Sequence, residues 1–424
     1  MPIVALGLML CCLCLPIASS LLVAEETTPA ADGFTAFDQR AKAGERLSVV
    51  FFGCSLTWGA NASDQELTSF RAVVRDRLEE RYPAAHFRCK DAAIGGTGSQ
   101  LGVFRLERDV LRWKPDLVFV DFTANDDISS ADPETLASYE AILRRLAEAH
   151  IPVVQVAFPF RWDIDRAKLP GMKRLAAHHA LAEAYGNGWG DAVTRIIDAV
   201  DAKTTTLDAI WVTDPVHPHD AGYRLFADAA WDGLLTAITA KQVAKVPAVP
   251  LYASTYSTAK RVRLSALGTL PAGWKIGSPN LTACNYDWLM SRWLDDLGVA
   301  SNRAAAVGKD APLPQTAATL RLRVDASAIM LFGEGTLQSG RFRVLIDGVA
   351  LVGNGSQIKG TDEFDANRWK TGNGFLWVEL ARGLDTAKPH LVEIVPLFAA
   401  DQEQELRLES ICVAGGKATV ELLR

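Results

Sequence analysis

The sequence contains few cysteines, seven in 424 residues, and their spacing excludes two common kinds of site. Three of them lie close to the amino terminus: Cys11, Cys12 and Cys14. The remaining four are scattered through the chain: Cys54, Cys89, Cys284 and Cys412. Such spacing matches neither a zinc site nor a dense disulfide framework. Cys54 and Cys89 can meet if they end neighbouring strands, but the pattern favours four small buried residues.

The sequence also lacks an excess of positive charge. Lys and Arg together number 44 against 50 Asp and Glu, which gives a formal net charge of −6 and a pI near 5.7. This balance argues against nucleic acid and against an anionic membrane surface as partners. It fits a small or neutral substrate better.

Fixed repeats and low-complexity tracts are missing as well. Hydrophobic residues make up 49% of the chain. A chain of this length is too long for one ordinary core and has enough apolar residues to bury two. We therefore expect two folded domains.

The first 24 residues have no charged side chain. Pro2 to Ala24 form an apolar run, and Ala18-Ser19-Ser20 offers a small-residue cleavage point. This predicts a signal peptide over residues 1–24 and a secreted or periplasmic protein without stable membrane association after cleavage, although the usual basic start is missing. A retained single-span anchor is the alternative, because ~20 apolar residues suffice to cross a bilayer.

Residues 40–243 alternate strand-like and helix-like stretches at the spacing of βαβ units, which predicts a parallel sheet covered by helices. Strands are expected over 48–53, 86–89, 116–122 and 151–158. Helices are expected over 69–82, 99–113, 132–149 and 172–185, and after His219.

Residues 241–250 lack a Gly/Ser tract and contain prolines, which predicts a semi-rigid spacer after which helical patterning largely stops. Short apolar runs follow at 320–324, 329–332, 342–346, 375–380, 391–395 and 406–413. Asp347-Gly348 between two of them indicates a hairpin. The pattern predicts a jelly-roll-like all-β sandwich over 251–424 that packs on the first domain, with the apolar segment 278–297 buried against one domain or bridging both.

The stretch from Ser48 to Gly59 predicts the reactive residue. Its β-branched and aromatic residues end abruptly in Gly53-Cys54-Ser55, which is typical of a buried parallel strand with a sharp turn at its carboxyl end. Ligands bind at this edge of open α/β sheets, so the Ser55 hydroxyl can face a substrate there. The alternative is a solvated serine on an ordinary turn.

Two further segments supply the groups that a serine nucleophile needs. Asp214 lies three residues before His217, close enough to orient its imidazole, and a base of this kind can take the proton of Ser55. A tetrahedral intermediate also needs fixed donors for its oxyanion. The candidates are the backbone N–H groups of Ser55 and Gly96 and the side-chain amide of Asn125, all at the ends of predicted strands.

Taken together, these segments resemble the four blocks of the SGNH (GDSL-type) hydrolases, in the order of that family. The blocks are Gly53-Cys54-Ser55-Leu56-Thr57, Gly96 within IGGTG, Asn125-Asp126, and Asp214 with His217. The resemblance implies a flavodoxin-like α/β/α sandwich with a five-stranded parallel sheet. It also implies ester hydrolysis through an acyl-serine, with no metal or other cofactor. Cys54 replaces the usual Asp, and Thr123 replaces a Gly, which can alter the backbone angles of the loop that carries Asn125.

Other candidates have structural alternatives. Trp58 and Thr97 are predicted to contact the substrate, although Trp58 can equally pack against the following helix. His178-His179 has no partner at ligand spacing, so a metal role is disfavoured. Three aromatic residues of the second domain can form a carbohydrate platform, but alternating aromatics in a strand favour a core: Trp369, Phe375 and Trp377.

The resemblance leaves the substrate open, because one fold serves many esters. Export, an appended β-sandwich and several aromatic residues favour removal of acetyl groups from a polysaccharide or oligosaccharide, as in acetylxylan-esterase-like proteins that pair an SGNH domain with a jelly roll. One alternative is a lipid or short-chain esterase, including a lysophospholipase. Another is an exported glycan-binding protein with a vestigial hydrolase domain, which the intact candidate residues disfavour. The glycan, the acetyl position and the oligomeric state stay open.

Overall fold

The computed structural model describes residues 33–280, 294–302, 317–352, 358–367 and 373–423, which belong to one compact unit. The predicted signal peptide, Cys284, Trp369 and most of segment 278–297 lie outside the described residues. Within the described part of the chain, none of the helices has the length and apolar character needed to cross a membrane.

The first half of the chain is an α/β domain built on a five-stranded parallel sheet of order β2-β1-β3-β4-β5, as predicted. Its strands are β1 (Arg46–Gly53), β2 (His86–Ala93), β3 (Leu117–Val120), β4 (Val153–Ala157) and β5 (Gly188–Asp191). Its helices are α1 (Gly33–Lys42), α2 (Ser55–Trp58), α3 (Phe70–Arg81), α4 (Ser99–Asp109), α5 (Pro133–Glu148), α6 (Lys173–Tyr185), α7 (Ala192–Asp201), α8 (Leu207–Ile210) and α9 (Asp220–Thr239).

The second half of strand β1 is buried on both of its faces. Val49, Val50, Phe51 and Phe52 are each no more than 1% exposed. Alternate side chains enter two different apolar cores, with Val50 and Phe52 in one and Val49 and Phe51 in the other. This explains why the strand has a continuous apolar sequence instead of an alternating one.

Strand β5 is the element of the sheet that the sequence pattern does not reveal. Its sequence, Gly-Trp-Gly-Asp, lacks the β-branched residues typical of strands. A Cβ at Gly188 would lie 2.8 Å from the Gly233 carbonyl oxygen, and one at Gly190 would lie 2.7 Å from that of Ala229. The two glycines therefore allow α9 to pack directly on the strand.

The second half of the chain is an all-β domain of two antiparallel sheets, which confirms the predicted sandwich. One sheet has the order β14-β10-β16-β8-β7 with β6 beside β16, and the other has the order β12-β11-β15-β9-β17 with β13 beside β11. The strands are β6 (Lys260–Arg263), β7 (Trp274–Gly277), β8 (Leu297–Ser301), β9 (Leu320–Asp325), β10 (Ala328–Thr336), β11 (Arg341–Ile346), β12 (Val349–Ala350), β13 (Glu363–Asp365), β14 (Asn373–Ala381), β15 (His390–Leu397), β16 (Glu405–Ala414) and β17 (Thr419–Leu422).

The Asp347-Gly348 pair forms the predicted hairpin between β11 and β12. Ile346 pairs with Val349, so two residues make the turn. Asp347 and Gly348 have φ values of 53° and 80°, and this left-handed conformation at both positions matches the twist of the flanking strands.

An apolar core is shared between the two domains. The Phe104 ring of α4 lies 6.0 Å from the Tyr256 ring and 6.0 Å from the Trp377 ring of β14. Gln100, one turn earlier in α4, donates a 2.7 Å hydrogen bond to Glu379 of the same strand. The β-sandwich thus packs on α4, and Trp377 belongs to this core instead of a surface platform. Because contacts cross the junction, the domain limits 40–243 and 251–424 stay predictions.

We expect Phe104→Ala to destabilise both domains together, because the ring contacts elements of each. The loss should be about 3–5 kcal/mol, the range for removing a buried phenylalanine side chain. Differential scanning calorimetry should show a single transition at lower temperature, whereas Leu67→Ala, at an exposed position, should change little. A second transition that keeps the wild-type temperature would contradict a shared core.

Candidate active site

Ser55 occupies a sharp turn between β1 and α2. It is the first residue of α2, two positions after the last residue of β1, and it is 5% exposed. A Cβ at Gly53 would clash with the Thr57 hydroxyl oxygen and with the Asp121 carbonyl oxygen. Only glycine therefore permits the close approach that turns the chain here and places Ser55 at the carboxyl edge of the sheet.

The structure brings the three predicted triad residues together in one hydrogen-bonded chain. The Ser55 Oγ lies 3.0 Å from His217 Nε2, and His217 Nδ1 lies 3.2 Å from Asp214 Oδ2. With the proton on Nδ1, the ring donates to the carboxylate and Nε2 can accept the serine proton. The His217 side chain is 15% exposed and that of Asp214 is 36% exposed, so this hydrogen-bonded chain of residues reaches the surface.

Asp214 is held in its ionised form by several donors. The backbone N–H groups of Val216 and His217 donate to Oδ1 at 2.7 and 2.8 Å, and Asn61 Nδ2 donates to Oδ2 at 2.7 Å. Burial opposes ionisation, but these hydrogen bonds outweigh it and hold the pKa of Asp214 below its ordinary value. The sequence analysis missed Asn61; its left-handed backbone, with φ of 67°, follows α2 and has no motif of its own.

The two other predicted oxyanion donors lie on the loops that flank Ser55. The strand order β2-β1-β3 places the Gly96 loop on one side of β1 and the Asn125 loop on the other. Gly96 has φ of 73° and is exposed, and Ile94 N–H, before it, donates to the Gly53 carbonyl oxygen at 3.1 Å. The Asn125 Oδ1 is buried and accepts no hydrogen bond from the described residues. The role of the Asn125 amide as an oxyanion donor stays a prediction.

A buried carboxylate joins these two loops. Asp126 Oδ1 accepts a 3.0 Å hydrogen bond from the backbone N–H of Ser99, the first residue of α4. A Cβ at Gly98 would clash with the same carboxylate. Burial raises the pKa of Asp126 to about 6, although Arg174 and the Ser99 donors oppose the rise. Asp126 therefore fixes the Asn125 loop to the loop that carries Gly96.

Helix α6 supports the Asn125 loop from the opposite side. Arg174 Nε donates to the Asp127 carbonyl oxygen at 3.0 Å, and His178 Nδ1 lies 3.1 Å from the Thr123 hydroxyl. His178 is fully buried and stacks on Tyr139 with 3.7 Å between ring centroids. Burial lowers the pKa of His178 well below its ordinary value, so the ring is neutral. Thr123, the residue that replaces the family glycine, is thus anchored by a hydrogen bond.

The His178-His179 pair, for which the sequence disfavours a metal role, includes one side chain with protein partners. The side chain of His178 is engaged by Thr123 and Tyr139. Among the residues that the structure describes, no group of three or more His, Cys, Asp and Glu side chains could hold a metal ion.

Cys54 is part of a small buried cluster behind the nucleophile. Its thiol donates to Asp121 Oδ2 at 3.3 Å, and the Thr57 hydroxyl donates to the same oxygen at 3.2 Å. Burial raises the pKa of Asp121 to about 7 despite these two donors. Cys54 and Cys89 are both free, so the disulfide that neighbouring strands could have allowed is not formed.

The predicted substrate contacts take different positions. Trp58 is half-buried, and its carbonyl oxygen accepts a 3.2 Å hydrogen bond from Arg71. Thr97 is 2% exposed and its hydroxyl donates to the Ile94 carbonyl oxygen at 2.8 Å, so its side chain closes the turn and is not presented to a substrate. Phe375, considered in the sequence as part of a carbohydrate platform but favoured as a core residue, has its ring 3.6 Å from the position that a Gly96 Cβ would occupy.

The α/β domain that carries Ser55, Asp214 and His217 is similar to a known family. Residues 51–225 match the model of the GDSL-like lipase/acylhydrolase family. The family resemblance seen in the sequence is thereby confirmed for this part of the chain. A search of curated proteins finds no match.

Solved structures extend the likeness to both domains. A two-domain esterase active on acetylated mannans, crystallised with mannopentaose, has a TM-score of 0.71 and 24% identity over 92% of this chain and 97% of its own. A second structure of such an esterase has a TM-score of 0.69 and 23% identity over 90% and 95% of the two chains. An acetylxylan esterase from Geobacillus stearothermophilus has a TM-score of 0.39 and 22% identity over 46% of this chain and 96% of its own. At these identities the first two comparisons show that the fold is shared.

We expect Asn125→Ala to lower kcat for a small acetate ester by roughly 10²–10³, the effect of removing one oxyanion donor. Asn125→Asp, which keeps the shape but replaces the donor, should be comparably impaired. KM should change little, because the amide acts on charge that develops in the transition state. A rise in KM alone would show that the amide contacts the ground state and that the assignment is wrong.

We expect Asp121→Asn to stabilise the protein increasingly as the pH rises. The pKa of Asp121 is raised from 3.8 to about 7, so between these values the folded protein keeps a proton that the unfolded chain has lost. The contribution of this group to stability is therefore present below about pH 4 and lost as the pH rises to about 7. An asparagine cannot ionise and escapes this loss.

The measurement is the difference in Tm between variant and wild type from pH 4 to pH 8. It should grow with pH for Asp121→Asn, while Asp401→Asn, at an exposed turn position, controls for removal of a negative charge. A difference that is constant over this range would exclude a buried, proton-holding Asp121.

Proposed function

We propose that this protein, whose residues 51–225 form a GDSL-type hydrolase domain, is a serine esterase that removes acetyl groups from a polysaccharide or oligosaccharide. The observation that carries the proposal is the continuous hydrogen-bonded chain from Ser55 through His217 to Asp214 at the carboxyl edge of the sheet. A nucleophile, a base and an oriented carboxylate in this arrangement are the groups that acyl transfer needs.

The geometry supports a two-step reaction. His217 Nε2 takes the proton of Ser55 as Oγ attacks the carbonyl carbon of the acetyl ester. The oxyanion that forms is stabilised by the backbone N–H groups of Ser55 and Gly96 and by the amide of Asn125. His217 then donates its proton to the leaving sugar oxygen, which leaves an acetyl-serine. Water, deprotonated by His217, attacks the carbonyl carbon of this ester, and His217 then returns the proton to Ser55 Oγ as acetate is released.

Asp214 and Asn61 assist these steps without bonding to the substrate. The imidazolium that His217 becomes after each proton transfer is stabilised by the adjacent carboxylate. Because the pKa of Asp214 is held low, the carboxylate stays ionised at neutral pH and does not take the proton itself. Asn61, by donating to Asp214 Oδ2, fixes the oxygen that faces the His217 ring.

The two-domain fold supports an acetylated carbohydrate as the substrate. The esterase that shares the two-domain fold over more than 90% of both chains acts on acetylated mannans. In this chain Phe375 of the β-sandwich adds an apolar ring beside Gly96, so a substrate at the oxyanion loop would meet both domains. We propose the same class of substrate here, and a location outside the cytoplasm in accordance with the signal peptide predicted over residues 1–24.

The test is the release of acids from a panel of acetylated mannan, acetylated xylan, phospholipids and simple short-chain esters, followed by mass spectrometry. Acetate should be released fastest from an acetylated polysaccharide. Ser55→Ala and His217→Ala should each lose at least 10³ in turnover while keeping the wild-type Tm, because the triad residues act as a unit. Faster release of long-chain acids from lipids, or near-normal hydrolysis by Ser55→Ala, would overturn the proposal.

A further inference from the structure

A groove beside the triad loop contains side chains that the ester chemistry does not use. Its volume is about 620 Å³, which lies in the range of small-ligand clefts, roughly 300–1,000 Å³. It lies between residues 161–168, which follow β4, and residues 197–215, which include the end of α7 and all of α8. Trp162 lines the groove and is 50% exposed, although a large apolar side chain is usually buried.

The groove shares a wall with the candidate active site. The backbone N–H of Arg161 donates a 3.0 Å hydrogen bond to the carbonyl oxygen of Pro215, and both residues line the groove. Pro215 directly follows Asp214 and lies two residues before His217. A polymer bound at the triad could therefore continue past this loop into the groove.

The two arginines that line the groove are both paired with carboxylates. Arg161 forms a 2.5 Å ion pair with Asp208, and Arg166 forms ion pairs of 2.7 and 2.8 Å with Asp198 and Asp201. Lys168 Nζ donates to the carbonyl oxygen of Trp162 at 2.6 Å. Because each guanidinium already has a carboxylate partner, the groove favours a neutral ligand over an anionic one. The paired groups keep peripheral donors and lone pairs that can bind hydroxyl groups.

Trp162 supplies the apolar part of the same surface. Its indole ring packs against Phe160 on one side, with 4.9 Å between ring centroids, and half of the residue stays open to solvent. A pyranose ring has an apolar C–H face surrounded by hydroxyl groups. A flat indole beside paired Arg and Asp side chains matches both parts of such a ring. A fatty acyl chain would instead remove water from these charged pairs and offer them no hydrogen bonds.

From these observations we propose that the groove is a binding subsite for neutral sugar units of the polysaccharide, next to the unit whose acetyl ester is cleaved. The inference rests on the proposed function for its biological substrate. Its physical content, recognition of a neutral sugar ring by Trp162, can be measured without ester hydrolysis.

The test is calorimetry with unacetylated mannose and xylose pentasaccharides on the full chain carrying Ser55→Ala. Adding Trp162→Ala should weaken binding of at least one of them roughly tenfold, the scale for an aromatic contact residue. Trp162→Phe should recover part of the affinity, and Leu67→Ala, at another exposed apolar position, should have no effect. Unchanged affinity in the Trp162→Ala variant would overturn the inference. So would a failure of the Ser55→Ala protein that keeps Trp162 to bind either sugar.

A second measurement separates this inference from the proposed function. With Ser55 intact, Trp162→Ala should raise KM for an acetylated polysaccharide about tenfold and leave kcat/KM for 4-nitrophenyl acetate unchanged, because the small ester does not reach the groove. Equal loss on both substrates would place Trp162 in the support of the triad and overturn the subsite. Failure of the wild type to release acetate from any polysaccharide would overturn the proposed function. The calorimetric result for Trp162→Ala would still show whether the groove binds a neutral sugar.

Discussion

The parallel pairing of β1 with β2 on one side and β3 on the other is the constraint on which the site depends. Parallel strands end at the same edge of a sheet, so the segments that follow these three strands meet there. The turn after β1 carries Ser55, the turn after β2 carries Gly96, and the turn after β3 carries Asn125. The apolar side chains of β1 are buried on both faces of the strand, and this burial fixes the position of Ser55, the proposed nucleophile, between the two flanking loops.

Buried polar groups then determine how accurately these loops are held. Asp126 fixes the start of α4, and His178 holds Thr123 from α6. Each group is buried away from water, and an unpaired polar atom in such surroundings costs free energy. The hydrogen bonds therefore strongly restrict the loops that carry Gly96 and Asn125. The replacement of the family glycine by Thr123 is therefore accompanied by a partner for its hydroxyl. The proposed catalytic groups lie near the surface, and the groups that position them are more deeply buried.

The sequence predicts the triad and the fold class of both domains because these depend on local signals. Strand-end turns place Ser55, and the short spacing of Asp214 and His217 allows their contact to be anticipated. Contacts between residues far apart in the sequence leave no such signal. Asn61 reaches Asp214 across 153 positions, and His178 reaches Thr123 across 55, each from a segment without a motif. Strand β5 was missed for a similar reason, since its glycines are explained only by the close packing of α9. The short strands β6, β7 and β8 were also missed, because segments of four or five residues become strands through their partners in the sheet.

Helix α4 connects the chemistry to the second domain. Its first residue, Ser99, donates to Asp126 and so belongs to the support of the oxyanion loops. One residue later Gln100 bonds to Glu379 of β14, and one turn further Phe104 packs against Trp377 of the same strand. Strand β14 also carries Phe375 beside Gly96. A rigid helix and a rigid strand thus touch at several points, and one end of this contact lies at the proposed oxyanion hole. The β-sandwich therefore belongs to the framework of the site, because any shift of β14 against α4 would move the loop of Gly96 and the ring that lies beside it.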